Sequence, residues 1–347
     1  MTVLISNKKL VVLAIFLLCA GCFYGKSSTP SPNERSSSQE TRDSGFSIVS
    51  GENIRVNAQV TPMRLTPTKA LSFVDELHGY GLASGIGDLP FVQTSDGGVT
   101  WQALSRLAYT TEPNAISFLD SQTGWLFTNE SYGQKSELRL TSDGGQTWEV
   151  IAQDLPGLEA RRETPFFRFF DRQKGLVAAK NDKDMILLRT QDGGLTWSAS
   201  SRIPMPLKEE GVFTFLSSTE GWFIGPSKKD KDITILYHMT DGETWHEAGK
   251  LPSLLAPQAI SFADAQKGFI LLHANPQSRE QTWRLLRTMD AGKTWSQHEF
   301  PNTFQPLDPN LQLSFPTSSS GWLLDTRDLW RTTDGGLSWS YLRRKPY

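Results

Sequence analysis

The chain has 347 residues, of which 35 are Lys or Arg and 37 Asp or Glu, for a formal net charge of −2. That balance, without a long basic run, excludes a nucleic-acid partner held through its phosphates. The two cysteines, Cys19 and Cys22, stand together near the N-terminus, which excludes an internal disulfide framework and leaves stability to packing.

Residues 1–21 read as an export signal. Lys8 and Lys9 precede the apolar run Leu10 to Leu18, which is too short for a bilayer that needs about twenty apolar residues. The run ends in Cys19-Ala20-Gly21-Cys22. Small residues before a cysteine at this place resemble the lipobox of bacterial lipoproteins, and the resemblance implies lipidation of Cys22 as the new N-terminus. The alternative is cleavage as an ordinary secreted protein. Residues 22–45 are rich in Ser, Pro and charge, as in Ser27-Ser28-Thr29-Pro30-Ser31-Pro32. They have little to bury and read as a disordered tether. The expected location is therefore extracytoplasmic, on the cell membrane or outer membrane.

Residues 46–347 read as one domain. Within 46–66 only Phe46 to Val49 and Ile54 to Val60 look strand-like, too little for a full structural unit. The sequence predicts that this stretch adds an outer strand latching the fold near its last unit.

From about residue 69 two phrases alternate. One pairs a segment ending in Phe with a Gly-aromatic step: Phe73 with Gly79-Tyr80, Phe118 with Gly124-Trp125, Phe169-Phe170 with Gly175-Leu176, Phe215 with Gly221-Trp222, Phe262 with Gly268-Phe269, and Phe315 with Gly321-Trp322. The other is Thr-x-Asp-Gly-Gly-x-Thr-Trp. It runs from Asp96 to Trp101, Asp143 to Trp148, Asp192 to Trp197 and Asp334 to Trp339, with Ser338 for the second Thr in the last. Two copies deviate: Ala291 replaces the first Gly between Asp290 and Trp295, and the copy from Asp241 to Trp245 is shortened. The six aspartates are 47, 49, 49, 49 and 44 residues apart.

An Asp before two glycines accepts hydrogen bonds from its own turn, while the glycines supply positive φ. The Trp that follows re-enters a strand, where its indole is expected to bury a face against the next sheet and keep the N–H for a partner. Twelve residues are assigned this structural role: Asp96, Trp101, Asp143, Trp148, Asp192, Trp197, Asp241, Trp245, Asp290, Trp295, Asp334 and Trp339. With a short β-type run on each side of every phrase and no helical period between them, each unit of about 46 residues holds four strands. Four-stranded units at this spacing predict an all-β fold, a single β-propeller. Six units favour six blades, with seven as the alternative.

These motifs resemble the Asp-box, or BNR-repeat, propellers, and the alternation with Gly-Trp resembles the photosystem II stability and assembly factor-like branch. The resemblance covers residues 69–345. It implies a non-catalytic scaffold that binds an envelope or membrane protein. Plant and cyanobacterial members carry seven blades and a cluster of arginines, whereas this chain supplies six units and the isolated pairs Arg161-Arg162 and Arg343-Arg344.

The same superfamily contains sialidases, and Arg202-Ile203-Pro204 matches their short Arg-Ile-Pro phrase, though here it follows the third Asp box. The alternative reading is thus a glycan-binding or glycoside-hydrolysing propeller, with Arg202 in an inter-blade loop facing the channel mouth. No catalytic residue, metal ligand or cofactor is assigned. His78, His238, His246, His273 and His298 are scattered, and Asp182-Lys183-Asp184 and Asp230-Lys231-Asp232 interleave lysines that oppose a cation. The chain is read as a monomer. Its expected partner surface is the face opposite the Asp turns: Arg106 and Tyr109, Tyr132 to Lys135, Glu159 to Glu163, Lys180 to Asp184, Lys228 to Asp232, and Gln277 to Gln281. Mixed charge there favours a protein partner.

Overall fold

The computed structural model describes residues 67–343 except 84–87, 109–110, 131–135, 155–165, 181–184, 203–210, 227–232, 253–254, 275–281, 301–303, 305–310 and 326–327. The export signal, Cys22, the tether and the expected latch strand lie outside the described residues. Those described form 24 strands and no helix.

Blade 1 contains β1 (Pro67–Phe73), β2 (Gly79–Ala83), β3 (Asp88–Thr94) and β4 (Gln102–Ala108). Blade 2 contains β5 (Thr111–Phe118), β6 (Gly124–Glu130), β7 (Ser136–Thr141) and β8 (Glu149–Gln153), and blade 3 contains β9 (Phe166–Phe169), β10 (Gly175–Lys180), β11 (Met185–Thr190) and β12 (Ser198–Arg202). Blade 4 follows with β13 (Val212–Phe215), β14 (Gly221–Pro226), β15 (Ile233–Met239) and β16 (His246–Pro252). Blade 5 has β17 (Leu255–Phe262), β18 (Gly268–Ala274), β19 (Thr282–Thr288) and β20 (Ser296–Glu299). Blade 6 has β21 (Gln312–Ser314), β22 (Gly321–Leu324), β23 (Leu329–Thr332) and β24 (Ser340–Arg343).

Each blade is a four-stranded antiparallel meander in chain order. The first strands touch one another in the order β1, β5, β9, β13, β17, β21 and back to β1. They therefore form the inner ring of a closed six-bladed propeller, and the seven-bladed alternative falls. The fourth strands are outermost, so β8 is exposed or half-buried along its length.

The recurrent Phe and Gly are one contact. A Cβ added to Gly79, Gly124, Gly175, Gly221, Gly268 or Gly321 would strike the ring of Phe73, Phe118, Phe169, Phe215, Phe262 or Phe315 respectively. The ring lies flat over the glycine across the first turn of its own blade. Its other face meets the preceding blade. Phe118 stacks on Tyr80 at 3.7 Å, Phe169 on Trp125 at 3.8 Å, Phe262 on Trp222 at 3.8 Å, Phe315 on Phe269 at 3.6 Å and Phe73 on Trp322 at 3.7 Å. The Asp-box tryptophan completes the motif edge-on. Trp101, Trp148, Trp197, Trp245, Trp295 and Trp339 each meet the Phe of their own blade at 6.0–6.4 Å, with ring planes 74–90° apart. The sequence expectation of packing against the next sheet is corrected: the indole leans on its own blade's Phe, at the junction with the preceding blade. Edge-to-face and offset stacks contribute about 0.5–1.5 kcal/mol each beyond burial.

The core is accordingly six slices, one per junction between blades. The slice between blades 6 and 1 is small, built on Phe73, Trp322, Leu324 and Leu329. Polar bonds reinforce it: Trp322 Nε1 donates to the Gly97 carbonyl at 2.9 Å, Leu71 N to Gln312 Oε1 at 2.9 Å, and the Thr317 and Ser320 hydroxyls to Glu76 Oε1 at 3.0 Å. Among the described residues every blade takes four consecutive strands, and none is shared between distant parts of the chain.

Candidate functional site

The repeated chemistry collects on one face. In every box but the shortened one at Asp241 the Thr ending the third strand donates to Asp Oδ1 and accepts the second glycine's amide, as Thr94 does for Asp96 at 2.7 Å and Gly98 at 2.9 Å. The Asp also accepts the amide and hydroxyl of the Thr or Ser four residues on, at Thr100, Thr147, Thr196, Thr294 and Ser338. Bonds to the charged form stabilise it. The Thr147 and Thr141 bonds hold the Asp143 carboxyl at about 2, and the Thr196 bonds hold Asp192 at about 2. Asp241 reaches about 2 through the Thr244 and Glu243 amides, and Asp290 through Thr294. For Asp96 and Asp334 burial pushes upward, but the hydrogen bonds outweigh it and both carboxyls remain lowered.

The glycines serve two purposes. Gly144 and Gly145 have φ of 74° and 93°, a region costly for other residues. The second glycine also lets the preceding blade come close: a Cβ on Gly145 would enter the Phe91 ring, and one on Gly336 would enter Leu285. Ala291 adopts φ of 62° despite its Cβ.

Indole N–H groups find partners unevenly. Trp101, Trp197, Trp295 and Trp339 donate to the second glycine of their own box at 2.9–3.2 Å. Trp125 reaches across to the Gly193 carbonyl at 3.0 Å, as Trp322 does to Gly97. Trp222, whose counterpart in the next box is Ala291, has its Nε1 buried without a partner, as does Trp245 in the shortened box. Trp148 Nε1 is also unpartnered, and nothing in its box accounts for it.

A second staple went unnoticed in the sequence. Two residues after each recurrent Phe stands Asp75, Asp120, Asp171, Ser217, Asp264 or Thr317. The Asp75, Asp120, Asp171 and Asp264 carboxylates and the Ser217 hydroxyl each accept the amides two and three residues on, and Thr317 accepts that of Ser320. These are Asx and Ser/Thr turns. The signal was legible as Phe-x-Asp/Ser/Thr six times over. Each box docks on this turn, as in Gly97 N to Leu77 O, Gly144 N to Gln122 O and Gly193 N to Gln173 O, so both turns share one face. Five exposed apolar side chains, Leu77, Val99, Leu195, Met289 and Leu337, also stand in these turns, so this face is not uniformly polar.

Of the expected partner surface, Arg106 is described and exposed, and Lys180 is placed as the last residue of β10. Tyr109 and the stretches 132–135, 159–163, 181–184, 228–232 and 277–281 lie outside the described residues. Arg202 ends β12, the outer strand of blade 3, laddered to Ile186. The expected position in a loop at the channel mouth is corrected, because a fourth strand lies farthest from the inner ring. The histidines are not brought into one site. His78 bonds Asp75 at 2.8 Å in blade 1, His238 meets Glu220 at 3.3 Å and pairs with His246 across the β15–β16 ladder, and His273 stacks on Trp283 at 4.5 Å. Among the described residues no three His, Cys, Asp or Glu side chains converge to hold a metal.

No protein-family model and no curated protein matches the chain. Solved structures do match it. YCF48 bound to D1 peptide is similar over 80% of this chain and 82% of that one, at 18% identity and a TM-score of 0.47. SapL1 lectin in complex with alpha methyl fucoside matches over 80% and 96%, at 11% identity and a TM-score of 0.53. The GH74 xyloglucanase from Xanthomonas campestris matches over 81% of this chain and 48% of its own, at 13% identity and a TM-score of 0.51. The chain thus spans about half the length of that enzyme. At such identities the likeness to the lectin and the xyloglucanase shows the propeller fold alone.

Proposed function

We propose that this chain is a lipid-anchored extracytoplasmic propeller that binds an envelope or membrane protein without catalysing a reaction. The supporting observation is the engagement of its repeated polar chemistry. The Asp-box carboxylates are filled by Thr, Ser and backbone donors of their own turns, and the Phe, Gly and aromatic residues join blade to blade. What recurs six times is the scaffold, so recognition falls to what differs between blades. The surface assigned to it is the face opposite the Asp turns, where connections vary without disturbing the staples.

The test uses the mature chain reconstituted on membranes. Site-specific photo-crosslinkers at Arg106 and in 228–232 and 277–281 should capture one membrane protein, and a crosslinker at Val99 should not. Capture from Val99 alone would reverse the face assignment. Turnover of a fluorogenic sialoside or a β-glucan would sink the non-catalytic reading. If sialoside turnover were lost in Arg202→Ala, it would establish the hydrolase alternative in spite of that residue's place on the outer strand.

A further inference from the structure

The residue before each recurrent Phe occupies the same place on the inner ring: Ser72, Ser117, Arg168, Thr214, Ser261 and Ser314. Five carry a hydroxyl and one carries a guanidinium. At three junctions the hydroxyl is a latch to the next blade. Ser72 Oγ accepts the Phe118 amide at 3.1 Å, Ser117 Oγ the Phe169 amide at 2.9 Å, and Ser261 Oγ the Phe315 amide at 3.0 Å. Arginine has no acceptor, so Arg168 cannot do this for Phe215. Its ladder partner is Leu176, which stands where the other blades have Tyr, Trp or Phe. The junction between blades 3 and 4 therefore cannot form the latch recorded at three junctions, and it lacks the flat aromatic stack recorded at the other five.

What replaces them is an open guanidinium in an apolar setting. Ser117, Thr214 and Ser261 are buried, whereas Arg168 is exposed. Protein nonetheless surrounds it closely enough that desolvation lowers its pKa. Arg168 belongs to β9, a strand of the inner ring, so its exposed side chain lies on the axial side of the blade and not on the outer surface. Among the described residues it has no hydrogen bond or ion pair. Its one recorded contact is with Phe170, whose ring centroid is 6.0 Å from Cζ, within cation–π range. Phe166, two residues earlier on the same face of β9, is half-buried and packs on Phe215 at 5.0 Å.

We propose that this inner-ring surface between blades 3 and 4 binds a small aromatic carboxylate, its carboxylate held by the Arg168 guanidinium and its ring beside Phe166 and Phe170. The guanidinium fork matches a carboxylate with two parallel N–H···O bonds, strengthened where water is partly excluded. The flanking phenylalanines favour an acid with a flat apolar body over a bare anion. The site stands apart from the scaffold reading, since it lies on the inner ring and uses no residue of the proposed partner surface.

Calorimetric titration of the full mature chain with benzoate, acetate and inorganic phosphate tests it. Benzoate should bind one equivalent, at about tenfold lower concentration than acetate, the gain from covering part of a ring. Arg168→Ser installs the hydroxyl of the other blades, so this variant should melt no lower than wild type and lose benzoate binding. Arg168→Gln serves the same purpose should the serine variant fail to fold, and Arg168→Lys should bind at least tenfold more weakly because the fork is gone. Absence of saturable benzoate binding to wild type, undiminished binding to a folded Arg168→Ser or Arg168→Gln, or phosphate binding tighter than benzoate would each overturn the proposal.

Discussion

Replacing Trp322 by Phe should weaken the ring at its seam, and replacing Trp222 by Phe should not weaken its junction to the same degree. Both indoles are fully buried and stacked on the Phe of the following blade, at 3.7 and 3.8 Å. The apolar atoms removed are the same, at about 1–2 kcal/mol for a partial cavity, and cancel in the comparison. The polar ledger differs. Trp322 Nε1 donates to Gly97 O at 2.9 Å, so its loss strands a buried carbonyl at about 1–3 kcal/mol. Trp222 Nε1 has no partner, so its removal relieves a buried unpaired N–H. Trp322→Phe should therefore cost about 3 kcal/mol and Trp222→Phe about 1 kcal/mol or less. Arg331, 5.4 Å from the Trp322 ring, adds about 0.5–1 kcal/mol of cation–π attraction in the same direction. Trp125→Phe separates the two effects, because Trp125 donates to Gly193 O with no recorded cation over its ring, and it should track Trp322→Phe less that increment. Equilibrium urea unfolding reads all three as midpoint shifts at unchanged m-value. If Trp222→Phe costs as much as the other two, the indole bond is not what joins the blades.

Acid should loosen the turns. Asp143, Asp192, Asp241 and Asp290 are held at about 2 in the fold against about 3.9 in an unfolded chain. Their stabilisation is complete above about pH 4 and lost as pH falls through about 2, so Tm should be flat from pH 8 to 5 and drop below 4. A Tm unchanged at pH 2.5 would contradict the assigned hydrogen bonds. Gly145→Ala combines a φ of 93° with a Cβ driven into the Phe91 ring. It should cost about 3 kcal/mol or more, and a wild-type urea midpoint would show that the blades have room to part. Cys22→Ser should release the protein from membranes; a wild-type chain found wholly in the soluble fraction, with Cys22 unmodified by mass spectrometry, rules out the anchor.

The fold was legible because its signals are local. A box such as Thr141 to Trp148 announces its turn within eight residues, and counting boxes counts blades. Contacts between blades were not legible, since periodicity marks which residues recur without saying which neighbour they meet. Trp125 and the carbonyl it bonds are 68 residues apart. For the same reason the Trp148 indole was expected against the next sheet, whereas it lies on Phe118 of its own blade and Phe91 of the one before. Arg202 was misplaced because its three-residue match carried no information on strand position. The Phe-x-Asp turn is a different failure: it was local and periodic, and it was masked by the louder Asp box beside it.

Once a recurrent residue has a known task, a departure from the repeat becomes a measurement. Ala291 in place of Gly coincides with an unpaired Trp222 indole at the junction of blades 4 and 5, where the Phe262 stack is kept. Between blades 3 and 4 three departures fall together. Leu176 replaces the stacking aromatic, Arg168 replaces the latching hydroxyl, and the shortened fourth box leaves Trp245 Nε1 buried and unpaired. The stack is present at all five other junctions and the latch at three of them, and here only the tilted contact of Phe166 with Phe215 stands in their place. Natural sequences break their own local rules chiefly at functional or strained sites. Here the broken rules surround a guanidinium that faces water from within the ring, so this junction is where a ligand would recover the stability its own residues do not provide.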